Sequence, residues 1–199
     1  MAQKKIDYVA FFKEVGKSKR LLRTGWVREK VKDPESVAEH SFRVGVMAMV
    51  LSDKLGIPLN KEKLIKMAFL HDLGEVITGD IVTARGEVID LKLRDEKEKK
   101  EHEGVRKIFS TIDGADEYDE LYHEMIGRAT PEAKIFGLLD KIETVLQALE
   151  YEKEQGKDLE EFFVHFRANY MQDPFITKIF NAIVNQRPKS RTKKRRKRV

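Results

Sequence analysis

Apolar residues recur three or four positions apart along most of this chain, which is the spacing of one face of an α-helix. The spacing is clearest in two stretches, with apolar residues at 37, 44, 47, 48, 51 and 55 and at 135, 138, 139, 142, 146 and 149. No stretch shows the sustained alternation of a half-buried strand. The chain has 199 residues, 41% of them apolar, so it can bury a core, and the pattern predicts one all-α domain.

Residues that begin and end helices divide the chain into elements. A first helix is predicted over 6–22, and Asp33-Pro34 predicts an N-cap and first position of a second helix that ends at Gly56. Asn60 is predicted to cap the next helix, and residues 74–89 are predicted to form a loop that contains several glycines. Further helices are predicted over 90–109, 115–128 and 131–154 and from Asp173-Pro174 onward.

The charge of the chain is concentrated at its C-terminal end. Nine of the 39 Lys and Arg residues lie in "RPKSRTKKRRKRV", which contains no acidic residue, and the other 30 face 34 acidic residues. We therefore expect a mildly acidic domain over 1–186 and a basic, solvated tail over 187–199. Nucleic-acid binding is disfavoured for the domain, while the tail can contact phosphates.

Composition excludes several other classes. Cysteine is absent, which excludes a disulfide framework and a thiolate metal site or nucleophile. No apolar run approaches the length that a bilayer requires, and the N-terminus lacks the features of a secretory signal. A cytoplasmic protein without membrane contact is the expectation.

Polar residues interrupt the apolar faces at three places. His40 lies between Val37 and Val44 on its helix face, and Asp140 is set in "KIFGLLDKI". His71 continues a buried face and is followed by Asp72 at the predicted helix end. A lone buried histidine is usually a core residue with one hydrogen bond, but a lone buried carboxylate costs several kcal/mol. One metal ion would satisfy all four side chains, and two imidazoles with two carboxylates suit Co, Mn, Ni, Fe or Zn.

The order His40, His71-Asp72 and Asp140 resembles the H…HD…D ligand pattern of the HD-domain metal-dependent phosphohydrolases. The stretches "RTGW" (23–26), "PESVAEHSFRV" (34–44) and "HDLGEVITGDI" (71–81) resemble the 5′-deoxynucleotidase branch of that family, and the similarity extends from about 11 to 185. The resemblance implies an HD-domain helical bundle that hydrolyses deoxyribonucleoside 5′-monophosphates to deoxynucleoside and phosphate with one divalent metal. It also implies a homodimer.

Four further residues are candidates for the site. Glu75 lies four residues after His71, so on a helix it shares that face and can position water or protonate the leaving 5′-oxygen, a role that the resemblance also implies. The alternative for Glu75 is a surface carboxylate. Asp80 either accepts a hydrogen bond from the sugar 3′-hydroxyl or forms a Gly-Asp turn. The resemblance places Trp26 against the nucleotide near the sugar, and the alternative is an anchor in the core.

The sequence leaves open which residue binds the phosphate. Arg23 is the candidate, because a guanidinium binds phosphate through two parallel hydrogen bonds. Bacterial members of the family place an arginine directly before the tryptophan, where this chain has Gly25. Three alternatives remain: Arg23 binds the phosphate from two positions before Gly25, Arg28 binds it, or neither does.

Other readings compete with these. Another phosphoester substrate, such as a cyclic nucleotide, an alarmone or a nucleoside triphosphate, is the alternative within the family. A non-catalytic module that binds nucleic acid through the tail is disfavoured by the intact ligand set. His102 and His123 lie where two-metal members place extra ligands, but their settings favour a single metal. Phe162, Phe163 and Phe166 fit either an interface or the core.

Overall fold

The computed structural model describes residues 6–188, and most of its regular structure is helical. The helices are α1 Tyr8–Val15, α2 Thr24–Arg28, α3 Val37–Leu51, α4 Lys61–Leu70, α5 Glu75–Thr78, α6 Leu91–Phe109, α7 Ala115–Gly127, α8 Pro131–Gln155, α9 Glu160–Asn169 and α10 Pro174–Val184. Strands β1 Ala84–Arg85 and β2 Val88–Ile89 form an antiparallel hairpin. The all-α prediction is confirmed.

Helix α3 begins three residues later than predicted, so the assignment of Asp33-Pro34 as its start was wrong. Ser36 is the N-cap, and Ser36 and Glu39 form a capping box that satisfies backbone N–H groups of the first turn. The backbone of Ser36 is extended, and Ser36 forms a β-bridge with Leu22. This pairing ties the start of α3 to the segment that leads into α2.

Other helix boundaries follow the sequence more closely. The side chains of Asn60 and Asp173 cap α4 and α10 as predicted. The first helix is shorter than predicted, because α1 ends at Val15 and continues only as a 3-10 helix over Gly16–Lys19. The predicted loop 74–89 contains α5 and the β-hairpin.

Helix α8 lies at the centre of the bundle and packs against α3, α4, α7, α9 and α10. Leu139, Ile142 and Val145 are almost completely buried on it. Phe163 and Phe166 are core residues, with exposed fractions of 0% and 1%, so the structure supports the core alternative for both. The buried area of these side chains is the main source of stability in such a bundle.

Two glycines let α6 approach the turn between α4 and α5. A Cβ atom on Gly74 would lie 2.3 Å from the backbone oxygen of Glu101, and a Cβ on Gly104 would lie 2.9 Å from the backbone oxygen of Gly74. Only residues without a side chain allow this backbone contact.

Arg187 contacts the helical bundle at its C-terminal end. Arg187, which we assigned to the tail, donates hydrogen bonds to both carboxylate oxygens of buried Glu152 at 2.6 and 2.8 Å and to Glu160. Its guanidinium lies 3.8 Å from the ring centre of Phe163. The rest of the predicted tail from 189 lies outside the described residues. Within the described part of the chain, no helix is both long and apolar enough to cross a membrane.

Candidate active site

Three helices bring polar side chains together in the core. His40 on α3, His71 at the end of α4 and Asp140 on α8 each offer one ligand atom, and these atoms all lie within 4.8 Å of one another. All three residues are buried. The sequence placed each on an apolar face, and the packing of the three helices brings those faces together.

Both imidazole rings are held through their Nδ1 atoms. His40 Nδ1 lies 2.5 Å from Glu143 Oε2, and Glu143 is completely buried and accepts a hydrogen bond from Arg43 Nε at 2.7 Å. His71 Nδ1 lies 2.9 Å from the carbonyl oxygen of Ala68. A partner on Nδ1 fixes the ring plane and leaves Nε2 for a ligand, which is the arrangement of metal-binding histidines.

The Nε2 atoms face the two carboxylates. His40 Nε2 lies 3.1 Å from Asp140 Oδ1 and 3.9 Å from Asp72 Oδ2. His71 Nε2 lies 3.0 Å from Asp72 Oδ2, but the two atoms are not aligned for a hydrogen bond. Asp72 thus lies beside the group of three, and its Oδ2 also accepts a hydrogen bond from Arg23 at 2.6 Å.

The surroundings of both carboxylates favour the ionised form, which is the form that binds a metal. Burial opposes the charge of Asp72, but His71 and Arg23 outweigh it and hold its pKa well below the usual range. Burial likewise opposes the charge of Asp140, and Lys141, at 2.8 Å from Oδ2, is the first of the groups that lower its pKa well below the usual value.

The donor set fits a divalent transition metal. His71 Nε2 is buried and has no hydrogen-bond partner among the described residues, which is costly for a ring nitrogen unless a ligand occupies it. Two imidazole nitrogens and carboxylate oxygens match the preferences of Mn, Fe, Co, Ni and Zn. This chain therefore contains a group that can hold a metal.

Glu75 begins α5 and is completely buried. Its Oε1 accepts a hydrogen bond from Lys97 Nζ at 2.8 Å, whereas its Oε2 has no partner within residues 6–188. Burial, together with the charges of Asp72 and Asp80, raises the pKa of Glu75 well above its usual value, although Lys97 opposes the shift. The surface alternative for Glu75 does not fit this burial.

A cavity of about 150 Å³ lies beside the metal-ligand group. Its walls include the carboxylates Asp72 and Asp140 and all three predicted substrate residues, Arg23, Trp26 and Asp80. The cavity therefore joins the proposed metal ligands to the residues that we expect to contact the nucleotide.

Arg23 and Asp80 come from different segments that are tied together. Asp80 Oδ2 accepts a hydrogen bond from the backbone N–H of Thr24 at 2.5 Å, and Thr24 Oγ1 donates to the backbone oxygen of Asp80 at 2.8 Å. Arg28 also lines the cavity, but it is paired with Glu29 and Glu161. The position of Arg23 beside Asp72 makes it the better placed of the two arginines to reach a phosphate next to the metal group.

Trp26 combines features of both alternatives considered for it. Its side chain lines the cavity, yet its exposed fraction is only 1%. The indole N–H donates to Glu35 Oε1 at 2.9 Å, and the ring packs on Phe162 with centroids 4.4 Å apart and on Tyr151. Trp26 is thus anchored in the core and presents only one part of its ring to the cavity.

Several residues at the site were missed in the sequence. Lys97 and Lys141 line the cavity beside the carboxylates, and His165 lines it as well. Glu143 holds His40. Its position three residues after Asp140, on the same face of α8, is the signal that could have revealed it.

The two histidines considered for a second metal lie elsewhere. His102 Nε2 contacts Asp119 Oδ1 at 2.6 Å, and its ring stacks on Tyr122. The ring of His123 is 6.1 Å from that of His102. In the described part of the chain, neither histidine joins a group able to hold an ion.

Comparison with known proteins identifies the family. Residues 15–182 match the HD domain. The chain belongs to the HD-domain family. HD-domain relatives include the "5′-deoxynucleotidase HDDC2" of Danio rerio, which is 40% identical over 162 residues that cover 79% of this chain and 77% of the relative. The "5′-deoxynucleotidase hdd1" of Schizosaccharomyces pombe is 31% identical over 194 residues, 94% of this chain and 93% of the relative.

A solved structure supports the same fold. A conserved hypothetical protein from Pyrococcus furiosus superposes with a TM-score of 0.72 at 30% sequence identity, over 89% of this chain and 99% of that one. The expectation of an all-α HD-domain bundle is therefore confirmed.

Proposed function

We propose that this chain is a metal-dependent 5′-deoxynucleotidase that hydrolyses deoxyribonucleoside 5′-monophosphates to deoxynucleoside and phosphate. The observation that carries the proposal is the buried group of His40, His71 and Asp140, with the unpartnered Nε2 of His71, beside a cavity that is lined by Asp140 and Arg23. Relatives that span most of the chain carry the name of this activity.

The side chains divide the work of the reaction. His40, His71 and Asp140, with Asp72 beside them, would hold one ion of Co, Mn, Ni, Fe or Zn, which supplies activation of water and of the phosphate when bound. Glu75, whose Oε2 has no hydrogen-bond partner in the described chain, would position the attacking water or protonate the leaving 5′-oxygen. Because one oxygen of Glu75 is held by Lys97, the other is presented in a fixed direction.

Substrate contacts come from the opposite wall of the cavity. The Arg23 guanidinium binds the phosphate oxygens, since it has further N–H donors besides the one on Asp72. Asp80 accepts from the 3′-hydroxyl with the oxygen that Thr24 does not use, and the exposed part of Trp26 crowds the 2′ position. These contacts address sugar and phosphate, so we expect weak discrimination among bases.

The decisive experiment measures phosphate release after removal of bound metal by a chelator. The substrates are dAMP, dGMP, dCMP, dTMP and AMP, with cyclic AMP and dATP as other phosphoesters, each tested with Co, Mn, Ni, Zn and Mg. We expect release from the four deoxynucleotides with a transition metal. Release from cyclic AMP or dATP alone would show that the substrate class is wrong.

Two matched variants control for contaminating phosphatases. Asp140→Asn removes the charge of a proposed ligand, and Asp116→Asn makes the same change at an exposed position of α7. Activity should be lost only in Asp140→Asn. Equal activity of both variants would mean that the measured phosphate release does not come from this site.

We also propose that the chain forms a homodimer through an apolar patch on α3 and α4. The patch consists of Phe42, Val46, Met49, Val50 and Phe69, which are between 38% and 65% exposed. Four of the five lie along one stripe of α3, and a two-fold axis across this stripe would place it against its own copy. An exposed apolar patch of this kind is typical of an interface between proteins.

Light scattering after gel filtration tests the dimer. Phe42→Glu should yield a monomer, whereas Phe12→Glu on α1 should remain dimeric, although both phenylalanines are 65% exposed. A dimer that persists in Phe42→Glu, or a wild-type monomer at micromolar concentration, would contradict this interface.

A further inference from the structure

We propose that Lys97 is a positioning residue for the reaction. Its ammonium group holds the carboxylate of Glu75, and the carboxylate of Glu101 holds that ammonium group in place. This inference rests on the proposed function, because it concerns how Glu75 is held for proton handling. The sequence gives no hint of it, since Lys97 lies in "LRDEKEKKEHEGVRK", where lysine and glutamate alternate as on a solvated helix.

The ammonium group of Lys97 is surrounded by carboxylates from two segments. Its Nζ lies 2.8 Å from Glu75 Oε1, 3.2 Å from Glu101 Oε1 and 4.0 Å from Asp80 Oδ1. Glu75 is fully buried, Glu101 is 5% exposed and the side chain of Lys97 is 17% exposed. Such buried contacts fix a side chain more firmly than surface ion pairs do.

The contact divides the two oxygens of Glu75 between two tasks. Oε1 is held by Lys97, while Oε2 has no partner in the described chain. A buried carboxylate that is held at one oxygen keeps its second oxygen in a fixed direction, which suits the positioning of water or of the leaving group. Without Lys97, the carboxylate would be free to turn about its last side-chain bond.

The backbone of α6 is arranged to bring Lys97 to this place. Lys97, Glu101 and Gly104 are spaced four and three residues apart, so they lie on one face of α6. Gly104 and the backbone of Glu101 meet Gly74 at distances that leave no room for a Cβ atom. Gly74 is the residue before Glu75, so the glycine contact sets the distance between Lys97 and Glu75.

A purely structural ion pair is the competing explanation, and Lys63 provides the matched control. Lys63 Nζ bridges α4 to α7 by contacts with both carboxylate oxygens of Glu124, at 2.9 and 3.2 Å, and it does not line the cavity. Lys63→Met therefore removes an ammonium bridge between helices without touching Glu75.

The experiment compares kcat and KM for dAMP, at one saturating metal, in four variants: Lys97→Met, Lys97→Arg, Lys63→Met and Glu75→Gln. We expect Lys97→Met to lower kcat by about 10- to 100-fold with little change in KM, because positioning acts on the reaction and not on binding. Lys97→Arg should restore part of kcat, and Lys63→Met should behave like the wild type. A rise in KM at unchanged kcat in Lys97→Met would overturn the proposal, because it would show direct substrate binding.

The double variant Lys97→Met/Glu75→Gln tests whether Lys97 acts through Glu75. If it does, Lys97→Met should change kcat by less than about 3-fold in the Glu75→Gln background. Multiplicative losses would overturn the proposal, and so would full activity of Glu75→Gln, since Glu75 would then have no role for Lys97 to support.

A readout that needs no activity separates this inference from the proposed function. In an NMR spectrum of lysine ammonium groups, Lys97 should give a slowly exchanging signal that is lost or shifted in Glu75→Gln and Glu101→Gln. An unchanged signal overturns the proposal even if the wild type releases phosphate. Failure of the wild type to release phosphate from any deoxynucleotide contradicts the proposed function, and Lys97 would then hold no catalytic carboxylate.

Discussion

The two walls of the cavity are built in different ways. One wall includes Asp140, which forms the ligand group with His40 and His71; these three residues come from α8, α3 and the end of α4, which pack against one another in the core. On the other wall, Arg23 and Trp26 come from the start of a five-residue helix and its N-cap, and Asp80 comes from an irregular segment.

This difference determines what each wall tolerates. The ligands are fixed by the packing of long helices, so moving one of them requires a change in the whole core. The substrate wall is fixed by individual hydrogen bonds between segments, such as those between Thr24 and Asp80 and between His165 and Gly86. We therefore expect substitutions on the first wall to abolish activity and substitutions on the second to change selectivity.

The largest effect is expected from His71→Ala on the ligand wall. Loss of one imidazole should reduce phosphate release by about 10³-fold or more, because the ion can no longer be held for its role in catalysis. Crystals soaked with Co or Mn should show one anomalous peak among His40, His71, Asp72 and Asp140 in the wild type. A metal-replete crystal with no peak there, or with a second peak at His102 or His123, would contradict the one-metal assignment.

A smaller effect is expected from Glu143→Gln, because Glu143 contacts the ligand His40 and is not itself a proposed ligand. The amide can still contact His40 Nδ1 but loses the charge, so metal affinity should fall by about 10- to 100-fold. Titration with Co²⁺, followed by absorbance, measures the affinity. Glu150→Gln removes another carboxylate that pairs with Arg43, at a half-buried position, and should leave the affinity unchanged. Equal affinities in the two variants would show that Glu143 does not support the ligand.

The ligands were largely predictable from the spacing of apolar residues, whereas Arg23, Trp26 and Asp80 were identified mainly through the family resemblance and Lys97 was not predicted. His40 and Asp140 stand out because they interrupt apolar faces with helical spacing, and both lie on helices in the structure. Lys97 has no such signal, because its neighbours in the sequence are also Lys and Glu. It differs from them only in the folded chain, where the close contact of α6 with Gly74 brings it to Glu75. The start of α3 was predicted wrongly because Asp33-Pro34 fits the pattern of an N-cap residue followed by proline. Ser36 and Glu39 fit the capping-box pattern, which is the one that the structure has.

On the substrate wall, Trp26→Ala should reduce sugar selectivity. We expect the wild type to prefer dAMP over AMP by about 5- to 150-fold, which corresponds to the roughly 1–3 kcal/mol of an unpaired 2′-hydroxyl. The ratio of kcat/KM for dAMP and AMP should approach one in the variant. Tyr151→Phe keeps a ring against Trp26 and is the control. Equal rates on AMP and dAMP in the wild type would refute sugar selectivity, and unchanged selectivity in Trp26→Ala would remove Trp26 as its cause.

The smallest effect on catalysis is expected far from both walls, at the C-terminus. A chain that ends at Arg187 should match the full chain in kcat and stability, whereas a chain that ends at Gln186 should lose about 1–3 kcal/mol, because buried Glu152 loses its charged partner. This predicts a melting temperature lower by about 2–12 °C at unchanged kcat. Thermal unfolding of the two truncated proteins measures it, and equal melting temperatures would show that the Arg187 contacts contribute nothing.

The contact between Gly74 and Gly104 also bears on how the protein opens. Helix α6 packs mainly against α1, α5 and α7, whereas the metal ligands lie on α3, α8 and the end of α4. Opening of α6 as a unit would therefore separate Lys97 from Glu75 while the ligand-bearing helices stay together. In mild denaturant, turnover should cease before the ion is released, and the amides of α6 should exchange with solvent earlier than those of α8. If the amides of α6 exchange first, catalytic competence depends on a helix that opens while the helices that hold the ion stay packed.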